Sequence, residues 1–390
     1  MDQISRSPRR PWAVLFAFPF RIFFVSTGVA AVLLLPLWLW WLLGGGGPAM
    51  SALLWHQHEM TVGLLNAAIA GFLLTAVCNW TGTAPVSGRA LLALWGLWLS
   101  ARLGLLLGDA WQLLAVSLDL AFLPVVAMLV ARRVWTARQA RQAPLIGVLL
   151  ALWGLDVAFH WSGDPRFLHG LVLLGALLIL MVGGRITPAF TANWLRLHGD
   201  DPERVRRWPA LDIAGLVCGL AVVVLELTAW RGLAVALAGL LAALIAAVRL
   251  AGWAGWRVRR EPLLWILHLG HLWVVLGFGL WAAAKAGLPV APTAWVHALG
   301  AGAIGTMILG VITRVAMGHT GRPMRLLPGM RWGFLAILAA GLVRVLAGLG
   351  VVPWLPGLWL AAALWLLAWL FFLWLYTPVL AAPRADGRPG

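Results

Sequence analysis

The sequence predicts an all-α, polytopic membrane bundle of twelve transmembrane helices with both termini on the cytoplasmic side. Three observations carry this. Of 390 residues, 62% are hydrophobic and only 11% charged, against about 25% charged in a soluble domain. Apolar runs of span length recur along the whole chain. The basic residues fall on alternate sides of those runs. A water-facing surface has no use for so much apolar area, whereas lipid accepts it around most side chains. No stretch is polar enough for long enough to form a soluble domain, so residues 1–390 read as one integral membrane domain.

A helix needs about 20 apolar residues to cross the hydrocarbon core. Segments of that kind lie near 22–43, 60–78, 89–107, 110–131, 143–161, 167–184, 211–230, 232–250, 262–284, 293–316, 332–349 and 354–378. The basic start, MDQISRSPRRPW, is followed by FAFPFR at 16–21, with no small-residue cleavage site. The first span is therefore expected to be retained rather than removed as a signal peptide. The tightest connections are expected at Gly108–Asp109 and at Trp230–Arg231.

Charge tests the count and sets the orientation. With the N-terminus inside, the cytoplasmic segments hold 24 of the 29 basic residues, from Arg6, Arg9, Arg10 and Arg21 through Arg132, Arg133 and the Arg204–Arg207 and Arg257–Arg260 clusters to Arg384 and Arg388. The outer loops hold Arg166, Arg231 and Lys285, and the spans Arg102 and Arg344. This is the positive-inside pattern. It places the protein in a cytoplasmic membrane, multi-pass, and it explains the formal charge of +16 without a nucleic-acid partner. Cys78 and Cys218 sit inside apolar segments with no CxxC spacing. That excludes a zinc ribbon or disulfide framework and reads as buried structural thiols. No internal repeat is visible, which weighs against transporter folds built from repeated halves. Tryptophans near span ends (Trp41, Trp80, Trp111, Trp161, Trp194) are ordinary interfacial anchors.

Nine histidines stand out in a chain poor in other polar groups. His56, His58, His160, His169 and His297 belong to the outer side, and His268, His271, His319 and His198 to the inner side. In Trp55-His56-Gln57-His58-Glu59-Met60, an extended backbone puts His56 and His58 on one face, whereas a helix turns them apart. The preceding Gly44–Pro48 run favours non-helical chain before Ser51. Headgroup or water contacts account for such residues as readily as a metal does. His268 and His271, three apart on one helical face, sit about two turns into the membrane. Intramembrane ionisable groups usually face a functional interior, and neutral imidazole is a common ligand for haem iron and copper; interhelical hydrogen bonds are the plainer use. His268 and His297 are expected roughly 20 Å apart along the membrane normal at 1.5 Å per residue, too far for one shared centre. Among acids inside spans, Asp119 is expected to pair with Arg102, and Glu226 has Arg344 as a conceivable partner; Asp156 is the third.

Taken together, WHQHEM at 55–60, AGFLLTAVCNWTG at 70–82, GGRITPAFTANWL at 183–195, EPLLWILHLGH at 261–271 and HALGAGAIGTMILGVITRVAMGHTGRP at 297–323 resemble the NnrS family. These are twelve-span bacterial membrane proteins containing haem and copper and linked to nitric oxide and nitrosative stress. The resemblance implies haem and copper as cofactors, with cofactor binding at His56, His58, His268, His297 and His319. For metal ligation the set is His56, His58, His268, His271 and His297, although relatives are expected to carry an aromatic residue in place of His271. It also implies an inner-membrane protein handling nitric oxide, with a redox enzyme as one form of that role and no catalytic residue or electron donor specified. A membrane transporter or metal carrier with histidine ligands and acid proton couplers is the alternative from a different class, and a purely structural assembly factor is a third.

Overall fold

The computed structural model describes residues 11–47, 50–107 and 109–388. Arg6, Arg9, Arg10, Pro48 and Gly108, which entered the topology and turn expectations, lie outside the described residues. The described chain is helical, with no strand. In chain order the helices are α1 (Pro11–Leu15), α2 (Pro19–Leu42), α3 (Ala52–His58), α4 (Asn66–Thr81), α5 (Gly88–Gly104), α6 (Gln112–Thr136), α7 (Ala143–Ser162) and α8 (Pro165–Leu178). The rest are α9 (Gly184–Leu197), α10 (Pro209–Leu227), α11 (Leu233–Gly252), α12 (Pro262–Lys285), α13 (Pro292–His297), α14 (Thr306–His319), α15 (Met330–Gly348) and α16 (Trp354–Ala381). Three π-helical segments, Glu59–Leu65, Ile179–Gly183 and Ala298–Gly305, join α3 to α4, α8 to α9 and α13 to α14 into continuous rods.

Among the described residues, eleven helices are long and apolar enough to cross a membrane. The twelfth expected span, 89–107, is α5, whose 17 residues fall short of that length. The largest departure from expectation is the span at 167–184. Its helix runs on to Leu197 through Pro188, because 184–197 switches to a one-sided pattern. Gly184, Thr187, Pro188, Thr191 and Leu195 face inward while Arg185, Asn193 and Arg196 are exposed. Six helices (α1, α2, α8, α10, α12 and α13) have proline as their first residue, where its fixed φ suits the helix and its missing N–H costs nothing. Gly82, at φ +66°, ends α4 in the left-handed conformation that a side chain would resist.

The chain divides into two compact units. The first comprises 1–153, 312–325 and 372–390; the second comprises 154–311 and 326–371. In the first, α2 packs on α4 at backbone range, since a Cβ on Gly71 would come within 2.9 Å of Phe23. Arg21, wholly buried, donates to the carbonyls of Leu380 and Ala382 and ties the chain's end to α2. In the second, α11 lies on α12 with Gly239 against the Trp281 ring. On α10 the buried face carries Gly215, Gly219 and Glu226, whereas Ile213, Val217, Leu220 and Val224 form an exposed stripe. Small residues inward and branched apolar residues outward is the arrangement that lipid permits and water penalises. Of the two cysteines, Cys78 is buried as expected, while Cys218 is half-buried.

Candidate metal centres

In the first unit, helix begins directly after Ser51, whose hydroxyl accepts from Leu54 N–H. The WHQHEM segment is therefore helical, not extended, and of the two arrangements open from sequence it takes the one in which His56 and His58 diverge. His56 stacks on Trp38, ring centroids 4.1 Å apart. His58 turns inward and is 0% exposed. Its Nδ1 lies 3.0 Å from Glu59 Oε1 and its Nε2 3.1 Å from Asp119 Oδ2. Arg102 completes a ring, donating Nη1 to Glu59 Oε1 at 2.6 Å and Nη2 to Asp119 Oδ1. The expected Arg102–Asp119 pair is thus present, with Glu59 as a member that the sequence did not single out.

The geometry constrains the chemistry of that ring. A carboxylate only accepts, and a neutral imidazole has one N–H. His58 faces carboxylate oxygen on both nitrogens, so an imidazolium, a protonated carboxyl or a bound cation must supply the second contact. With neutral His58 the four groups sum to one negative charge; one more positive charge closes the balance. The backbone is shaped around this ring. A Cβ on Gly63 would meet Glu59 Oε2 at 2.7 Å, and the Gly63 carbonyl within the π-segment is taken by Trp98 Nε1–H at 2.9 Å.

Two close His/Asp pairs are present, His58 with Asp119 in the first unit and Asp156 with His160 in the second. Asp156 and His160 stand one turn apart on α7 with Oδ1 and Nε2 separated by 3.6 Å. Neither was assigned a role from sequence. The i, i+4 spacing of D-V-A-F-H was the signal available.

In the second unit, His268 and His271 occupy one face of α12, and both are buried beside the Trp253 ring. Hydrogen-bond roles can be read from the partners. Thr191 gives its one hydroxyl proton to the Thr187 carbonyl at 2.9 Å, so it accepts from His268 Nε2–H at 3.0 Å. In neutral His268 that leaves Nδ1 as a bare lone pair, buried and without a hydrogen bond. His271 Nδ1 donates to the Leu267 carbonyl at 2.9 Å, which leaves its Nε2 as the lone-pair nitrogen; near the Ile179 carbonyl, it makes no regular hydrogen bond.

Glycines make room at both nitrogens. A Cβ on Gly255 would stand 2.7 Å from His268 Nδ1, and one on Gly183 would stand 3.1 Å from His271 Nε2 and 3.0 Å from the Met307 methyl. Gly183 closes the second π-segment, and π-turns of this kind recur at functional sites. Thr187, Thr191, Trp253 and Met307 were missed from sequence. The Thr-x-x-x-Thr spacing in GGRITPAFTANWL was the trace they left.

The remaining histidines lie elsewhere. His297 ends α13 with Nδ1–H on the Thr293 carbonyl. Gly277 packs against Leu299 and Gly270 against Met307, an antiparallel register that sets His268 opposite 308–309, eleven to twelve residues from His297. That is about 17 Å at 1.5 Å per residue, consistent with two separate positions. In the first unit, His319 ends α14 beside Phe20, and its carbonyl accepts from Arg384. His169 pairs with Glu226, and His198 stacks on Trp194 as an exposed residue. Glu226 does not pair with Arg344. Its Oε1 faces His169 Nδ1 at 3.1 Å, and its Oε2 accepts from Trp281 Nε1 and Lys285 Nζ, both at 2.8 Å. A full set of closer partners satisfies the carboxylate.

The family model for NnrS protein matches residues 14–384, nearly the whole sequence. The chain belongs to the NnrS family. No curated protein matches it. Three of the five motifs that suggested NnrS membership contribute directly to these centres: 55–60 to the His58 ring, 183–195 to the Thr191–His268 bond, and 261–271 to the histidine pair itself.

Proposed function

We propose that this NnrS protein binds haem and copper in the cytoplasmic membrane of a bacterium and serves nitric oxide metabolism or resistance to nitrosative stress. Family membership supports the nitric oxide link, and one observation supports the metal. His268 and His271 are buried imidazoles, each with one nitrogen committed to a protein acceptor and the other left as a lone pair. A second partner that fixes the tautomer and aims the ring is how metal-ligating histidines are held. Nitrogen donors, with a thioether (Met307) nearby, suit haem iron or copper.

On this reading His268 and His271 hold one group through Nδ1 and Nε2, and Gly255 and Gly183 leave it room. His58 with Asp119 provides a second, nitrogen/oxygen donor set. A bound haem iron or copper supplies the redox chemistry and a coordination position for nitric oxide. The residues present do the rest. Thr191 and the Leu267 carbonyl orient the rings, Trp253 and the surrounding apolar side chains exclude water, and Arg102 offsets the carboxylates around His58. His56, His297 and His319 stay as proposed ligands through their motifs alone. Twelve spans, with α5 as the short one, and cytoplasmic termini complete the proposal.

The test is an optical spectrum with iron and copper analysis on protein purified in detergent from haem-replete cells. A Soret band and stoichiometric metal are expected. Colourless, metal-free protein would sink the reading. The transporter reading ranks second, since Asp119 and Glu226, the acids it would use as proton couplers, are both engaged in ion pairs.

A further inference from the structure

Arg344 stands on α15, four residues or about 6 Å from its C-terminal end. An arginine so near a span end ordinarily snorkels, lying along the surface with its guanidinium in the headgroups. Arg344 does not, being only 7% exposed. Among the described residues no carboxylate pairs with it and no carbonyl accepts from it, and its Nη1 is buried without a partner. The one acid that sequence offered, Glu226, is fully occupied by His169, Trp281 and Lys285.

Its direction follows from its neighbours on the helix. Gly341 and Gly348, three before and four after, share its face. A Cβ on Gly341 would come within 3.1 Å of Gly302 Cα, and one on Gly348 within 3.1 Å of Ala294 Cα. That face therefore meets α13 and the third π-segment at backbone contact, and the Arg344 side chain leaves α15 toward the same two elements, inside the second unit. A permanently charged guanidinium taken out of water without a counter-charge is strongly unfavourable. Its five N–H donors in a planar fork match two oxygens in one plane.

We propose that Arg344 anchors a planar oxyanion, a carboxylate or a small anion of the same shape, in the interior of the second unit. Two sources offer that chemistry: a free small anion, or the carboxylate of a group already bound to the protein. The ion neutralises the guanidinium and completes its hydrogen bonds, and the glycines at 341, 302 and 348 keep Cβ atoms out of the surrounding contact.

The experiment titrates the purified, full-length protein, as isolated in detergent, with formate. Tryptophan fluorescence and the thermal midpoint are followed, with chloride as a control of the wrong shape. A free-anion site gives saturable formate binding that raises the midpoint, weakened at least tenfold in Arg344→Gln and in Arg344→Lys, which keeps the charge but not the fork. If a bound group already supplies the carboxylate, formate has no effect on the wild type. Arg344→Gln then loses that group on gel filtration or shifts its optical spectrum, and Arg344→Lys does so to a smaller extent. Should Arg344→Gln fail to fold, Arg344→Lys decides between the two sources. The proposal is overturned if formate does not bind and the folded variants keep the wild-type spectrum and bound-group content. Absence of iron and copper would defeat the metal reading above while leaving the formate titration to stand by itself.

Discussion

The two histidine regions solve opposite problems. In the first unit His58 lies between two carboxylates in a ring closed by Arg102, so charge balance governs what it can do. In the second, His268 and His271 have only neutral partners, Thr191 and the Leu267 carbonyl, and what they offer is a lone pair. Burial alone does not distinguish these regions, for all three histidines are buried. The partners do. A histidine among acids is suited to hold a proton or a hard, positively charged ion. A histidine among neutral acceptors is suited to a metal that prefers nitrogen.

The sharpest way to break this contrast is Arg102→Met. It leaves Glu59 and Asp119 buried without their arginine, and removing one partner of a buried ion pair costs about 3–5 kcal/mol. A marked fall in the thermal midpoint is expected, recovered in large part by adding Glu59→Gln and Asp119→Asn. A single variant as stable as the wild type would show that Arg102 is not the compensating charge.

Next in size, His268→Ala and His271→Ala are expected to abolish or shift the optical band while lowering stability less than Arg102→Met does. The lost atoms carried lone pairs rather than an ion pair. Equal spectra in both variants would remove this pair from the ligand assignment.

Gly183→Ala should sharpen the contrast further. Its new methyl crowds His271 and Met307, and overpacking costs about 1–3 kcal/mol. The optical band should move, while substitution at Gly63 should leave that band alone and weaken the Arg102 ring instead.

The smallest effect concerns a surface contact in the first unit. Asp386 lies against Gly321 and accepts from Arg384, whose guanidinium holds its carboxyl down to about 2. A lowered folded-state value means that this contact contributes fully above the unfolded value of about 3.9 and is lost as pH falls toward 2. Hydrogen-exchange protection in 382–388, with the intrinsic pH dependence of amide exchange divided out, should therefore be flat from pH 7 to about 4 and fall below that; a fall already at pH 6 would contradict the assignment.

Ten of the twelve predicted apolar segments coincide with helices to within a few residues, because apolar length is a property of a linear chain. The span at 60–78 began too late, since the helix already contains His56 and His58. The one at 167–184 ended too soon, since Arg185 and Arg196 read as loop when they lie on the exposed side of α9. Within the candidate centres, His58, His268 and His271 were visible as rare polar residues in an apolar setting. Their partners were not. Thr187 and Thr191 look like any small residues of a span, and Glu59 looked like the flank of a motif.

Hydropathy and motif order, both in the sequence itself, determined that this is a many-helix membrane protein of NnrS type and singled out its histidines as rare polar residues. Beyond the Arg102–Asp119 pair, which the sequence already suggested, only the tertiary structure decided which acid each base would meet. Glu226 went to His169 and Lys285, Asp119 went to Arg102 and His58, and Arg344 was left without a carboxylate among the described residues. Pairing depends on distance between helices remote in sequence, and a buried charge takes the nearest partner that packing brings within hydrogen-bond reach.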